Sequence, residues 1–204
     1  LSVVIPFYNE ENMIQKMYDE LVKEINQITK AEFEIIFIND GSKDRTFERM
    51  LAIAAGDSRV KYISFSRNFG KEAGTIAGLE YATGEAVILM DGDLQHPPAM
   101  LPQMIEAYEQ GYDVVSARRT RTGEKRHRTF LAKHFYKLAN KMMDIELMDG
   151  VSEFRLFSRK VVNAIISMQE YNRFSKGIFA WIGFNEKVIE YENQVRTVGE
   201  TKYS

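Results

Sequence analysis

From Leu1 to about Ala117, short apolar runs alternate with longer stretches in which apolar residues recur every three or four positions. Leu1-Ser2-Val3-Val4-Ile5 reads as a buried strand stopped by Pro6, which cannot donate to a sheet ladder. After the loop Phe7–Glu11, Met13, Met17, Leu21, Ile25 and Ile28 fall at helical spacing to about Thr29. Phe33–Ile38 is a second strand, followed by a helix carrying Phe47, Met50 and Leu51 that Ser42 or Asp44 could cap. Val60–Phe65 is a third strand, and a helix is expected from about Glu72 to Ala82. Ala86–Met90 is a fourth strand, a helix runs from Pro98 to about Gln110, and Tyr112–Ala117 is a fifth strand. This alternation predicts an α/β fold, a mostly parallel sheet with helices on both faces.

The fourth strand holds the most informative pattern. Ala86–Met90 is apolar at every position, as in a strand covered on both sides, and it ends in Asp91-Gly92-Asp93. Gly92 frees the backbone to turn, and carboxylates at i and i+2 leave an extended strand on the same side. Two carboxylates converging there repel unless a cation sits between them, and Mg²⁺ or Mn²⁺ would serve. The plain alternative is an Asp-Gly turn. The end of a central strand in an open α/β sheet is a common place for a ligand, which favours the first reading.

Beyond Ala117 the character changes. Arg118, Arg119, Arg121, Lys125, Arg126, Arg128, Lys133 and Lys137 face a single acid, Glu124, with His127 and His134 interleaved. Leu131, Phe135, Leu138 and Met142 fall at i, i+4, i+7 and i+11, the apolar face of a basic amphipathic helix. Such a helix either packs on the core with a solvated cationic face, or lies at a membrane surface or guides an anionic substrate. Phe154–Phe157 reads as a short strand, Ser158 as a cap for a helix over Arg159–Met168, Ser175–Trp181 as a helix and Glu186–Tyr191 as a last strand. The segment from Asn193 to Ser204 is polar.

At 204 residues, 45% apolar and 27% charged, the chain suits one large globular domain. A net charge of −2 argues against a general nucleic-acid binder. There is no cysteine, hence no disulfide framework or thiolate zinc site, consistent with a reducing compartment. No apolar run reaches the roughly 18 residues that span a bilayer. The chain begins at Leu1 inside a strand and is expected to be a piece of something longer, whose membrane segments would lie elsewhere. No G-x-x-x-x-G-K-[ST] and no G-x-G-x-x-G after the first strand are present, and Asn39–Asp44 lacks the ligands of a calcium loop. Gly70, Gly74 and Gly78 are read as allowing close helix packing.

Four polar clusters follow strands and should meet at one sheet edge: Tyr8-Asn9-Glu10, Asp40-Gly41-Ser42, Asp91-Gly92-Asp93 and Arg118. Together they suit a nucleotide diphosphate held through a metal. At these residues the chain resembles the family 2 glycosyltransferases of GT-A fold, and most closely the polyprenyl-phosphate branch, which includes dolichyl-phosphate mannose synthases and bactoprenol glucosyltransferases. The resemblance runs over nearly the whole chain. It is carried by Val3–Glu10, by Asn39–Thr46 (like D-D-G-S-x-D-x-T), by Arg67–Lys71, by Met90–Pro98 (like M-D-A-D-L-Q-H-P-P) and by Ser152–Leu156 (like G-D-F-R-L). Asn39 departs from the first acid of its motif, Ala99 from a following acid, and Glu153 from the Asp of the last block.

The resemblance implies a Rossmann-like core over residues 1–117, an acceptor-side, membrane-proximal part of the same domain over 118–192, and a polar tail over 193–204. It implies that Pro6, Tyr8, Glu10, Asp40, Lys71 and Asp91 bind the UDP- or GDP-sugar donor, and that Asp91, Asp93 and Gln95 surround Mg²⁺ or Mn²⁺. Asp93, Glu153 and Arg118 are the expected catalytic residues, and Arg118, Arg128 and Arg155 the candidates for the acceptor phosphate. Glu153 could instead form a structural surface pair with Arg155. The expected acceptor is a polyprenyl phosphate at the cytoplasmic face of a membrane, with a homo-oligomer possible and no nucleic acid involved. A phosphate monoester, with a second pKa of about 6, is already an anionic nucleophile, so one inverting displacement needs little general-base help. The alternatives are a family 2 enzyme acting on a sugar hydroxyl, a non-catalytic nucleotide-sugar-binding module, and a membrane-docking module.

Overall fold

The computed structural model describes residues 1–120, 151–168 and 183–191. The expected basic amphipathic helix beyond Thr120, the helix at Ser175–Trp181 and the polar tail lie outside the described residues. The elements are β1 (Ser2–Phe7), α1 (Ile14–Ile25), β2 (Glu34–Asn39), α2 (Thr46–Gly56), β3 (Val60–Ser64), α3 (Lys71–Tyr81) and β4 (Ala86–Leu89). A 3₁₀ turn (Pro98–Met100) leads into α4 (Leu101–Glu109), β5 (Val114–Arg119), β6 (Val151–Ser158), α5 (Arg159–Ser167) and β7 (Glu186–Tyr191). Among the described residues no helix is long and apolar enough to cross a membrane.

Seven strands form one sheet in the order β3-β2-β1-β4-β6-β5-β7. Alternate residues of each strand enter opposite cores, as a period of two requires. Val3, Ile5, Phe7, Ile35, Phe37 and Ile88 pack under α1, α2 and α4. Val4, Ile36, Ile38, Val87 and Leu89 pack under α3 and α5. The apolar stripe Ile14, Met17, Leu21 and Ile25 is the buried face of α1, as its spacing predicts.

The sheet is parallel except for β6, which runs antiparallel to both β4 and β5. Alternating strand and helix signals could not foretell this reversal, because residues 121–150 separate β5 from β6. Pro6 does not stop β1 but pairs with Ile38 of β2. The carbonyl of Val4 accepts from Met90 N, so the peptide edges of Val4 and Pro6 both face β4. The ladder to β4 ends at Val4, and the donor that proline lacks is not required there.

Of the two candidates at the start of α2, Asp44 is the one whose Oδ1 accepts from Thr46 N (3.0 Å), while the Ser42 hydroxyl accepts from Asn9 N (3.0 Å). Ser158 stands at the N-cap of α5, but its hydroxyl bonds Asp113 Oδ1 (3.1 Å). The close packing predicted for Gly70, Gly74 and Gly78 holds at Gly78, where a Cβ would fall 2.2 Å from Val4 Cγ1. Gly74 makes only ordinary contacts, and Gly70 has open space around it and a left-handed backbone (φ 95°) instead.

The strand order places the functional edge. The chain winds outward from β1 through β2 to β3, then returns to add β4 on the other side of β1. The loops after β1, β2 and β4 all leave from the carboxyl ends of these parallel strands and line the candidate crevice, the usual ligand position in such sheets, while the helices that follow β1 and β4 pack on the same face. The opposite edge is held by Glu34, whose carboxylate accepts from Ser2 Oγ (2.6 Å), Thr83 N (2.7 Å), Thr83 Oγ1 (2.8 Å) and Lys61 Nζ (2.5 Å).

Burial would raise the Glu34 pKa, but Lys61, Ser2 and Thr83 outweigh it and hold it at about 2, against an ordinary 4.5. A depressed folded pKa means stability that is present above about 4.5 and lost as pH falls toward 2. Glu34→Gln is expected to cost about 1–2 kcal/mol at pH 7 and to leave a shallower loss of stability below pH 4.5. Urea unfolding across that range checks this, and parallel pH profiles for variant and parent would contradict it.

Candidate active site

The loops after β1 and β2 are laced together by their own polar side chains. Glu10 N donates to Thr46 Oγ1 (2.8 Å), Lys43 N to Asn9 Oδ1 (2.7 Å) and Arg45 N to Glu11 Oε2 (3.0 Å). Asn39, standing where the resemblance has an acid, accepts from Ser42 N (3.0 Å) and donates to Ser64 Oγ (2.8 Å). An amide can do both at once, whereas a carboxylate cannot donate. Tyr8 and Glu10 lie half-buried along this rim.

Asp40 is buried, and its carboxylate accepts from Phe69 N (2.7 Å) and Gly70 N (3.0 Å). It thereby fixes the loop that leads into α3 and sets the position of Lys71, the first residue of that helix. Lys71 reaches between two acids: its ammonium contacts Asp91 Oδ1 and lies 2.5 Å from Glu153 Oε2. Because β6 is antiparallel, Glu153 near its beginning comes to the same edge as the ends of β1 and β4.

Burial alone would lower the Lys71 pKa, but the charges of Asp91 and Glu153 reverse the effect and hold it above its ordinary value. Burial would raise Asp91, yet His96 and Lys71 overcome it and keep that carboxyl well below the usual range. Asp91 is therefore ionised at any physiological pH.

The Asp91–Gln95 loop differs from the expectation of two acids on one extended strand. β4 ends at Leu89, and Asp93 Oδ1 accepts from Gln95 N (3.1 Å) in a local turn. The left-handed residue is Leu94 (φ 58°), not Gly92. Gly92 serves close approach instead, since a Cβ there would fall 2.3 Å from Phe7 Cε1. The turn at Leu94 brings His96 back so that its Nε2 lies 3.4 Å from Asp91 Oδ2. His96 Nδ1 in turn is 2.6 Å from the Tyr191 hydroxyl.

The alternative for Glu153, a surface ion pair with Arg155, is not found among the described residues, although the Glu153 charge still acts on Arg155. Arg155 is buried, 5% exposed, with Nε donating to Ser152 O (3.3 Å) and a terminal nitrogen 3.7 Å from Glu186 Oε1. Burial lowers its pKa. Arg118 is more exposed and holds Glu190 Oε1 through Nε (3.1 Å) and a second nitrogen (2.5 Å). Arg128 lies outside the described residues.

Lys71, Asp91 and Glu153 are thus brought together, while Arg118 and Arg155 each meet a glutamate of β7. His96 and Tyr191 have no functional assignment in the sequence reading. His96 was visible only as part of Met90–Pro98, and Tyr191, at the end of a strand, carries no local signal.

The expected metal ligands Asp91, Asp93 and Gln95 lie on the one loop that follows β4, and each would offer an oxygen donor. Among the described residues no group of three or more His, Cys, Asp or Glu side chains forms a ready cage. Two acids beside an amide suit a hard divalent ion that takes its remaining ligands from substrate phosphates.

The sequence matches the profile of Glycosyl transferase family 2 over residues 2–166. It is 50% identical over its whole length to the Bacillus subtilis (strain 168) protein named "Putative glycosyltransferase CsbB", of which it covers 62%. It is 43% identical, again over its whole length, to the "Prophage bactoprenol glucosyl transferase homolog" of Escherichia coli (strain K12), covering 67% of that protein. The chain thus spans roughly three-fifths to two-thirds of these relatives. In fold it is similar to a mannosyltransferase from Pyrobaculum calidifontis solved with GDP-Man and Mn²⁺, with a TM-score of 0.64 and 18% identity, covering 93% of this chain and 54% of that one. Profile and relatives agree: the chain belongs to Glycosyl transferase family 2.

Proposed function

We propose that the chain is the catalytic part of an inverting glycosyltransferase that moves a sugar from a UDP- or GDP-sugar to a polyprenyl phosphate. The observation that carries this is the contact of Lys71 with both Asp91 and Glu153 at the crevice between β1 and β4. It keeps the Asp91 carboxylate ionised beside the place where a nucleotide diphosphate would lie. The relative named as a bactoprenol glucosyl transferase homolog supports the acceptor class. The reaction would run at the cytoplasmic face of a membrane, where nucleotide sugars and the acceptor phosphate meet, by a monomer or a homo-oligomer.

Pro6, Tyr8, Glu10 and Asp40 would form the nucleoside side of the pocket, with Asp40 also fixing the loop beneath it. Asp91, Asp93 and Gln95 would hold Mg²⁺ or Mn²⁺, which when bound neutralises the departing diphosphate. Lys71 keeps Asp91 charged and adds a cation beside the same phosphates. Glu153 is occupied by Lys71 and acts as its anchor, not as a general base. A phosphate acceptor requires no base, since it is already anionic above a pH of about 6. The salt bridge to Lys71 therefore suits a phosphate nucleophile better than a sugar hydroxyl.

Arg118 would draw the acceptor phosphate toward the anomeric carbon, exchanging Glu190 for the incoming anion. Its partial exposure makes that exchange inexpensive, because a surface ion pair contributes little. Arg155 would contribute long-range positive charge from inside the sheet while Glu186 holds it in place. Arg128 remains a candidate second phosphate ligand.

Asp93→Ala is expected to reduce transfer about 100-fold or more while leaving the thermal midpoint close to that of the parent. EDTA should abolish transfer by the parent, and Mn²⁺ or Mg²⁺ should restore it. Release of nucleotide diphosphate measures both, and a fully active variant in EDTA would refute the assignment. Arg118→Glu is expected to raise the KM for polyprenyl phosphate about tenfold or more, with little change in nucleotide affinity. Steady-state kinetics alongside calorimetric nucleotide titration separate the two, and equal losses would argue against Arg118 as the acceptor ligand.

A further inference from the structure

His96 and Tyr191 are each 8% exposed, and both are polar groups sealed beneath the crevice. The imidazole lies against Phe154 (ring centroids 5.8 Å, planes 30° apart) and edge-on to Tyr191 (5.8 Å, 79°). Its two nitrogens face different partners: Nε2 the Asp91 carboxylate at 3.4 Å, Nδ1 the Tyr191 hydroxyl at 2.6 Å. A carboxylate accepts only, so the Asp91 side calls for a proton on Nε2. In a neutral imidazole Nδ1 is then an acceptor, and the Tyr191 hydroxyl is its donor. Burial raises the Tyr191 pKa, so the phenol keeps the proton it must donate.

We propose that Tyr191 and His96 are positioning residues for Asp91: the phenol fixes the imidazole as its Nε2–H tautomer, and that N–H holds Asp91 Oδ2 so that Oδ1 faces Lys71 and the crevice. This rests on the reading of Asp91 as a diphosphate-side and metal-side carboxylate. Outer groups that orient a metal-binding carboxylate commonly contribute about ten- to a hundredfold in affinity. The geometry also explains the left-handed Leu94, since a loop without that turn would carry His96 away from Asp91. It gives the end of β7 a role at the donor side, through a residue 100 positions from Asp91 in the sequence.

The chain has only three histidines, so imidazole ¹⁵N signals are few and His96→Gln assigns the one that matters. In long-range ¹H–¹⁵N spectra of the metal-free protein, His96 is expected as the Nε2–H tautomer, and Tyr191→Phe is expected to shift it toward a mixture. Mn²⁺ titrated in the presence of UDP or GDP, followed by electron paramagnetic resonance, should bind Tyr191→Phe and His96→Asn about tenfold more weakly than the parent. His96→Gln, which sets an amide N–H near the Nε2 position, should stay within about twofold, whereas a merely structural role would not distinguish Gln from Asn. An unchanged tautomer in Tyr191→Phe, or equal Mn²⁺ affinity in His96→Asn and the parent, overturns the proposal. A parent that binds no Mn²⁺ with either nucleotide would instead count against the transferase reading, while the tautomer spectra still decide the Tyr191–His96 pair.

Discussion

Asp91 and Glu153 approach one another at the end of a sheet, and two acids in a half-buried place cannot both stay charged without a cation between them. Lys71 is that cation, with its ammonium against both carboxylates. Much of the surrounding structure serves to put it there. Asp40 uses both oxygens on the backbone of Phe69 and Gly70, which fixes where α3 begins. Gly78 lets the same helix settle on Val4 at a distance that a larger residue would forbid. The helix that carries Lys71 is thus clamped at its start by a buried acid and along its length by a missing side chain.

The sheet brings the other partners. β1 and β4 are parallel neighbours, so the loops carrying Tyr8 and Glu10 and the loop Asp91–Gln95 leave from the same end of the sheet. The antiparallel β6 turns Glu153 toward the same edge, where a parallel strand would have delivered it to the far one. β7 then closes the arrangement with Glu186 on Arg155, Glu190 on Arg118 and Tyr191 on His96. One edge strand therefore touches Arg118, Arg155 and the imidazole that faces Asp91.

Much of this was legible in the sequence. Hydrophobic periods located the described elements to within a few residues, and Asp91-Gly92-Asp93 marked the crevice because it follows an all-apolar strand. What escaped was governed by contacts distant in sequence. Pro6 reads as a stop because propensity ignores which neighbour faces its missing N–H. Gly92 reads as the turn, although the ring of Phe7 is what excludes a side chain there and Leu94 takes the left-handed backbone. Arg155 and Glu153 are two apart on β6, which left a mutual pair open as the alternative, but Glu153 meets Lys71 of α3 and Arg155 meets Glu186 of β7. Tyr191 had no signal because only the sheet order brings β7 near His96.

The most direct test of the Lys71 bridge compares Mn²⁺ binding to the parent and to Lys71→Met with no nucleotide present, using electron paramagnetic resonance and thermal unfolding as a check of the fold. If the ammonium is the charge that Asp91 and Glu153 otherwise share, removing it leaves an unbalanced pair of acids, and the variant should bind Mn²⁺ more tightly than the parent. A folded Lys71→Met protein whose Mn²⁺ affinity is unchanged or weaker would contradict it.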